Sequence, residues 1–124
     1  MTASTALVWM GVTLIGGVGS VTRFLVDRAV ARKAARRFPF GTLTVNITGA
    51  LLLGFLSGLA LSKNVSLLTG TAFVGAYTTF STWMLETQRL GEERQIRSAA
   101  RNIVASVVLG VGATLLGQWI AGQL

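Results

Sequence analysis

The chain of 124 residues contains no histidine and no cysteine. Their absence excludes disulfide bonds, zinc sites of the Cys/His type, haem ligation by either residue, and any catalytic triad built on histidine. Charge is also scarce, because Asp, Glu, Lys and Arg make up only 12% of the chain, against about 25% in a soluble domain. Hydrophobic types make up 52% and the mean hydropathy is +0.65. The composition therefore indicates a small polytopic membrane protein.

Four apolar stretches are long enough to cross a bilayer, which needs about 20 largely apolar residues. They cover approximately residues 3–22, 40–61, 66–85 and 102–121, and every charged residue lies outside their central parts. Alternation typical of β-strands is missing, and no basic region precedes the first stretch as in a signal peptide. The sequence therefore predicts an all-α membrane protein, with one domain of four transmembrane helices over residues 1–124.

The basic residues mark one side of the membrane. Nine of them lie between spans one and two or between spans three and four, and only Lys63 lies on the other side. The positive-inside rule places both basic loops in the cytoplasm and both termini outside. The net charge of +7 is therefore mainly a topological signal, and nucleic acid is not an expected partner. The nine residues are Arg28, Arg32, Lys33, Arg36, Arg37, Arg89, Arg94, Arg97 and Arg101.

Polar side chains inside the predicted spans are uncharged. No carboxylate lies within the first span, which argues against coupled transport of protons or organic cations, since those mechanisms need a membrane-embedded acid. On span four, polar or small residues recur every four positions and share one helix face. Thr42 and Asn46 share a face of span two in the same way. Hydroxyls that bond back to their own helix are the ordinary alternative. The span-four residues are Asn102, Ser106, Gly110, Thr114 and Gln118.

Small residues also recur every four positions on two spans, and such ridges let membrane helices approach closely. Ala50, Gly54 and Gly58 form the ridge of span two. The ridge of span four consists of Ala113, Gly117 and Ala121. The two ridges predict tight helix packing.

Span three contains Gly75-Ala76-Tyr77-Thr78-Thr79-Phe80-Ser81-Thr82-Trp83. The hydroxyl and aromatic residues that follow the glycine have low helix propensity, and the run therefore predicts a break in the helix near mid-membrane. A break frees carbonyls that can bind a cation and amides that can meet an anion. Phe80 and Trp83 are three apart, so their rings project from one face. Ring edges carry partial positive charge and suit a small anion; packing or lipid contact is the alternative role.

These residues carry a family resemblance that covers nearly the whole chain. Three blocks are involved: Gly16-Gly17-Val18-Gly19 with Arg23, Phe40 through Asn46 with Gly49, and Gly75 through Thr82 with Glu86. In their order and spacing they resemble the Fluc (CrcB) family of fluoride channels, and the Thr-Thr-Phe-Ser-Thr run is the most specific element. The resemblance implies subunits of four helices that pair antiparallel, with two fluoride pores per dimer and a structural sodium ion at its centre.

The resemblance also implies residue roles. Backbone carbonyls of Gly75 and Thr78 would contact the sodium ion, and Phe80 would be a pore-lining aromatic residue. Asn46 would contact the anion or shape the pore. The remaining pore residues would be Thr79, Ser81 and Thr82, together with Arg23 near the vestibule and Ser106 and Thr114 on a polar track of the fourth helix.

Two positions depart from the family pattern. Ala76 replaces the second glycine of a usual pair, and Trp83 stands where many members have a second phenylalanine. The resemblance implies that the phenylalanines of such members form an aromatic box in the pore. Tryptophan adds an N–H donor and volume, so the sequence leaves open whether Trp83 completes that box.

The expected activity is passive export of fluoride across the plasma membrane of a bacterium, without covalent chemistry or an enzymatic reaction. Two alternatives are a coupled antiporter of the small multidrug-resistance type and a non-transporting membrane scaffold. The partner subunit is either a second copy or a homologue. The strong charge bias favours a fixed orientation and therefore a heterodimer, whereas dual insertion as a homodimer needs balanced loops.

Overall fold

The computed structural model describes residues 2–34 and 38–124, and all regular elements within these ranges are helical. A π-helical segment, Leu67–Val74, joins α3 to α4. The α-helices are α1 Ala3–Ala34, α2 Phe40–Ser57, α3 Lys63–Ser66, α4 Gly75–Tyr77, α5 Phe80–Glu92 and α6 Ile96–Gly122. The all-α prediction is confirmed for the described part of the chain.

Three of these helices are long and apolar enough to cross a membrane. They are α1, α2 and α6, and their most apolar windows have mean hydropathies of 1.5, 1.5 and 1.9. The predicted third span is divided instead, because residues 63–77 form one helical stretch and α5 begins at Phe80. The break predicted from the Gly75–Trp83 run is therefore present, at Thr78 and Thr79.

Three helices, α1, α5 and α6, extend beyond the predicted spans and carry basic residues that the sequence places in loops; α5 continues to Glu92 and includes Arg89. Helix α1 continues to Ala34 and includes Arg28, Arg32 and Lys33 in its last turns. Helix α6 begins at Ile96 and includes Arg97 and Arg101. Polar helix ends are stable outside the hydrocarbon layer because a helix satisfies its backbone hydrogen bonds internally. Arg36 and Arg37 lie outside the described residues.

Helix α2 lies at the centre of the packing, between α1 and α6. Its contact with α6 is close because small residues meet backbone, as the two predicted ridges require. A Cβ on Gly54 would overlap the carbonyl oxygen of Thr114, and one on Gly117 would overlap the carbonyl oxygen of Leu51. The two helices run in the same direction, since Ile47 is near Gly110 and Gly58 is near Ala121.

The turn between α5 and α6 is a helix-ending motif built on an arginine. Arg94 has φ of 60°, the left-handed region that usually holds glycine at this position. The N–H of Gln95 donates to the carbonyl oxygen of Leu90 at 2.8 Å, and the N–H of Arg94 donates to that of Gly91 at 3.1 Å. These two bonds satisfy the last carbonyls of α5 and return the chain sharply into α6.

Large apolar side chains cover the outer faces of α1 and α6. On α1, Leu14 is 69% exposed and Phe24 is 59% exposed, and on α6 Val108 is 61% exposed. Apolar surface of this extent is unstable in water and marks contact with a membrane or a partner protein.

Candidate functional site

The break in the third span is formed by two residues with extended backbone. Thr78 has φ −85° and ψ 161°, and Thr79 has φ −149° and ψ 122°. The helical stretch before them ends at Tyr77, and α5 starts at Phe80. Helix ends leave backbone donors and acceptors without intrahelical partners, so the break concentrates polar backbone groups within an apolar sequence.

Asn46 bridges this break from α2. Its Nδ2 donates to the carbonyl oxygen of Thr79 at 2.9 Å, and the N–H of Thr79 donates to its Oδ1 at 2.8 Å. The amide therefore satisfies both backbone groups of one residue, as a neighbouring β-strand would. These two bonds give Asn46 a structural role at the break, and they leave its second Nδ2 hydrogen unused.

The side chain of Thr79 caps the following helix. Its Oγ1 accepts a hydrogen bond from the N–H of Thr82 at 3.2 Å and lies 3.5 Å from the Oγ of Ser81. A threonine cap satisfies one of the first donors of a helix and fixes where it begins. Asn46 and Thr79 together thus hold both sides of the break.

The break also releases carbonyl oxygens from their helical donors, among them those of Gly75 and Thr78. In an uninterrupted helix the Gly75 carbonyl would accept from the Thr79 N–H, which here donates to Asn46. The Thr78 carbonyl would accept from the Thr82 N–H, which here donates to Thr79 Oγ1. Gly75 lies at an open position, where an added Cβ would meet no heavy atom within 4 Å. Two carbonyl oxygens without their helical donors are hard ligands of the kind that suit alkali and alkaline-earth cations.

Phe80 and Trp83 form the aromatic pair that the spacing predicts. Their ring centroids are 5.7 Å apart and the ring planes cross at 83°, an edge-to-face arrangement. Phe80 remains 69% exposed, so its ring is available to a neighbouring molecule. Both rings line a pocket together with Thr78 and Thr79 of the break.

The indole N–H of Trp83 is used within the subunit. Trp83 Nε1 donates to the carbonyl oxygen of Asn102 at 3.2 Å. Asn102 is only 1% exposed, and its Nδ2 donates to Thr87 Oγ1 at 2.9 Å. Thr87 in turn donates to the carbonyl oxygen of Trp83 at 2.8 Å. This closed network holds α5 against α6, and it engages the donor that distinguishes tryptophan from phenylalanine at this position.

The polar residues that share one face of α6 (Asn102, Ser106, Thr114 and Gln118) differ in whether their side chains have hydrogen-bond partners within the subunit. Thr114 Oγ1 donates to the Gly110 carbonyl at 2.9 Å, and Gln118 Nε2 donates to Ser57 Oγ at 3.3 Å. The Thr114 bond is the bond to its own helix that the sequence analysis gave as the alternative, and the Gln118 bond packs α6 against α2. Ser106 is different, because its Oγ is buried and has no hydrogen-bond partner among the described residues. A hydroxyl in that position is a donor available to a ligand.

Two adjacent grooves join most of the predicted site residues. One groove runs between α2, α5 and α6 past Asn46, Trp83, Ser106 and Thr114. The other runs past the break and shares Asn46, Trp83 and Thr114 with the first. We call the two together the polar groove. No charged residue lines the polar groove within the described part of the chain; the second groove adds Thr78, Thr79 and Phe80.

Arg23 and Thr82 lie in a separate cavity. Its volume is about 190 Å³, and Thr79 also lines it. The Nε of Arg23 is buried there without a hydrogen-bond partner in residues 2–34 and 38–124. Ser81 lies in neither the cavity nor the polar groove; it is exposed beside Thr79. The other residues that line the cavity are Ser20, Phe24, Asp27, Thr42 and Val45.

Two contacts of the site were not predicted from the sequence. Thr42 donates to the carboxylate of Glu86, which ties α2 to α5 next to this cavity. Thr48 Oγ1 lies 2.8 Å from the Tyr77 hydroxyl, which ties α2 to the helix before the break. Thr42 and Glu86 were both visible as polar residues near the ends of spans, but pairing across 44 positions has no local signal.

Comparisons with known proteins place these features in a family. Residues 10–118 match the family model described as CrcB-like protein, Camphor Resistance (CrcB). The chain is 76% identical over 124 residues to "Fluoride-specific ion channel FluC 2" of Mycobacterium bovis, with 98% of each chain covered. It is 71% identical over 118 residues to the FluC 2 protein of Mycolicibacterium paratuberculosis, covering 95% of this chain and 97% of the relative.

A more distant relative is "Fluoride-specific ion channel FluC 1" of Streptomyces avermitilis, which is 42% identical over 120 residues. The alignment covers 94% of this chain and 97% of that relative. The matches to these relatives cover at least 94% of this chain, and the family match over residues 10–118 spans α2, the break and the polar residues of α6.

Proposed function

The chain belongs to the CrcB family, and on that premise we propose that it is a subunit of a fluoride-selective channel. The channel lets fluoride leave the cytoplasm passively, down its electrochemical gradient, and so lowers fluoride toxicity. The FluC names of the relatives support this function and support neither the antiporter nor the scaffold alternative.

The polar groove is the observation that carries the proposal. Ser106 offers a hydroxyl that has no hydrogen-bond partner in residues 2–34 and 38–124, Asn46 retains an amide hydrogen, and the rings of Phe80 and Trp83 line the groove. Fluoride is small and strongly hydrated, so it enters a channel only where closely spaced donors replace its water. Neutral donors can do this without a fixed cation, which would hold the ion too tightly for conduction.

Arg23 acts before the groove in this proposal. Its buried Nε has no hydrogen-bond partner among the residues that the structure describes, and it lies in a cavity that shares Thr79 with the break. A guanidinium at that position raises the local concentration of anions. The adjacent Thr82 and the exposed Ser81 then provide hydroxyls near the entrance.

The divided third span supplies the fourth membrane crossing. Residues 63–77 and α5 together are long enough to cross, although no single helix in this region is. Non-helical backbone at membrane depth is tolerated where it is buried in protein or lines a cavity, and Asn46 satisfies the exposed groups of Thr79 here. The two basic segments, between spans one and two and between spans three and four, lie on the cytoplasmic side. The chain is therefore a multi-pass protein of the bacterial plasma membrane.

A second subunit completes the channel. Phe80 is 69% exposed beside the break, which leaves its ring free to contribute to a pore shared with a partner. The Gly75 and Thr78 carbonyls fit a structural sodium ion in an antiparallel dimer, where two subunits would provide two carbonyls each. Sodium would supply a positive centre that holds the two breaks together.

The charge bias points to a homologue as the partner. Nine basic residues on one side against Lys63 on the other fix one orientation, so an antiparallel dimer needs a second chain inserted the opposite way. The names FluC 1 and FluC 2 among the relatives are compatible with paired subunits. Cysteine-accessibility mapping of both termini tests this point: equal labelling on both sides would favour the homodimer and overturn the heterodimer.

Fluoride efflux from liposomes tests the function. The purified chain, alone and together with a candidate partner subunit, should release fluoride and retain chloride. Absence of a fluoride-selective leak in both preparations, with dimers shown by chemical crosslinking, would refute the channel.

A further inference from the structure

The contact between α2 and α6 is tight at one end and open at the other. It is closest at Gly54 and Gly117, where an added Cβ would overlap backbone of the opposite helix. One to two turns earlier, a Cβ on Gly110 would meet Ile47 at an ordinary 3.9 Å. Because the helices run in the same direction, their amino-terminal halves diverge and leave a wedge between them.

This wedge, which we call the α2–α6 groove, is apolar along its depth. Its volume is about 800 Å³, and its walls come from Phe40 and Leu43 of α2 and from Val104, Ala105 and Val108 of α6. Val104 is 59% exposed and Val108 is 61% exposed. The α2–α6 groove shares no lining residue with the polar groove.

A basic side chain lies at the end of the same groove that is nearer the start of α6. Arg101 contributes to its lining and is exposed, and Arg97 lies one turn earlier on the same helix face. Within residues 2–34 and 38–124, neither arginine forms a salt bridge. Leu109, the deepest lining residue of α6, is eight positions from Arg101, or about 12 Å along a helix. That depth is close to the hydrocarbon half-thickness of about 15 Å.

We propose that the α2–α6 groove binds one anionic phospholipid of the cytoplasmic leaflet. An acyl chain fills the wedge between the diverging helices, and the headgroup phosphate bonds to the Arg101 guanidinium, with Arg97 adding positive charge. Guanidinium groups bind phosphate in a bidentate manner. The proposal rests on the proposed membrane orientation, but it does not depend on fluoride conduction.

Native mass spectrometry of the purified protein tests this lipid site. Phosphatidylglycerol should bind at one molecule per subunit, more tightly than phosphatidylcholine with the same acyl chains. Arg101→Gln should reduce that preference by about fivefold, which is the contribution expected of one interfacial basic residue. The matched control is Arg28→Gln, which removes the same charge from the same side of the membrane at a residue outside the groove.

A second pair of variants tests the wedge itself. Ala105→Phe should weaken binding of both lipids, because its ring occupies the space of the acyl chain. Leu116→Phe adds bulk to α6 outside the groove and should leave both affinities unchanged. Equal affinity for the two lipids, or equal losses in Arg101→Gln and Arg28→Gln, would overturn the proposal.

Photocrosslinking identifies the occupant directly. A benzophenone amino acid at position 105, irradiated in phosphatidylglycerol vesicles, should yield an adduct with the mass of one lipid. An adduct with a second subunit, or with another segment of the same chain, would show that protein covers the groove and would refute the lipid site. Fluoride efflux of the Arg101→Gln protein, measured in parallel, reports separately on the channel function.

Discussion

The α2–α6 crossing and the broken third helix are joined to the rest of the molecule by different kinds of contact. At the crossing, Gly54 and Gly117 bring backbone against backbone, and no side chain there can move to relieve a clash. At the break, Asn46 reaches across to Thr79 with a flexible side chain, and Phe80 is left exposed. The crossing is therefore a rigid support, whereas the break is a set of polar and aromatic groups whose substitution can alter function without loss of the fold.

The largest effect is expected at the crossing. In Gly117→Leu the new side chain would collide with the Leu51 carbonyl and with the Phe55 N–H, both of them backbone groups. Overpacking of this kind costs about 1–3 kcal/mol and more where nothing can yield, so we expect little folded protein. The yield of monodisperse protein in detergent and its Tm provide the measurement.

Gly112→Leu is the matched control, because a Cβ at Gly112 would meet no heavy atom within 4 Å. It should fold normally. If both leucine variants fold equally well, backbone contact at Gly117 does not hold the two helices together.

At the break, Phe80→Ile should remove function and keep the fold. The ring edge beside the polar groove is lost, whereas an exposed apolar side chain is replaced by another. Fluoride efflux should fall below detection while the elution profile and Tm of the protein remain those of the parent. Leu85→Ile, at a residue of α5 that is 66% exposed, should leave efflux unchanged. Undiminished efflux in Phe80→Ile would contradict the pore-lining role.

Asn46→Leu should affect both stability and flux, because Asn46 bridges the break and also lines the polar groove. The variant keeps the branched shape of the side chain but removes the hydrogen-bond partner of the Thr79 N–H and carbonyl. A buried polar group that loses its partner costs about 1–3 kcal/mol. We expect a lower Tm and an efflux rate reduced at least about tenfold, since the break loses its fixed geometry.

Asn64→Leu, at an exposed asparagine of α3, is the control for the Asn46 variant and should change neither quantity. A Tm of Asn46→Leu equal to that of the parent would mean that the bridge across the break contributes nothing to stability.

Local sequence signals predicted the parts of this molecule that depend on neighbouring residues. The apolar spans, the small-residue ridges and a break within the Gly75–Trp83 run all follow from the residue types in short windows, whereas its position at Thr78 and Thr79 comes from the structure. The contacts that define the site could not be predicted in this way. Asn46 and Thr79 are 33 positions apart, and the partner of the Trp83 indole is a backbone carbonyl, which every residue possesses. Such pairings are decided by how the helices pack.

The smallest effect is expected from Trp83→Phe, since the indole N–H donates to the Asn102 carbonyl and is therefore not a donor to the anion. Phenylalanine keeps a ring edge next to Phe80 and loses one hydrogen bond, worth about 1 kcal/mol. Fluoride efflux should stay within about threefold of the parent, while Tm falls slightly. Trp119→Phe, at a residue that is 63% exposed on α6, should change neither. Loss of efflux in Trp83→Phe without further loss of stability would instead assign the indole a direct part in conduction. Trp83 would then serve both the packing of α5 against α6 and the passage of the anion.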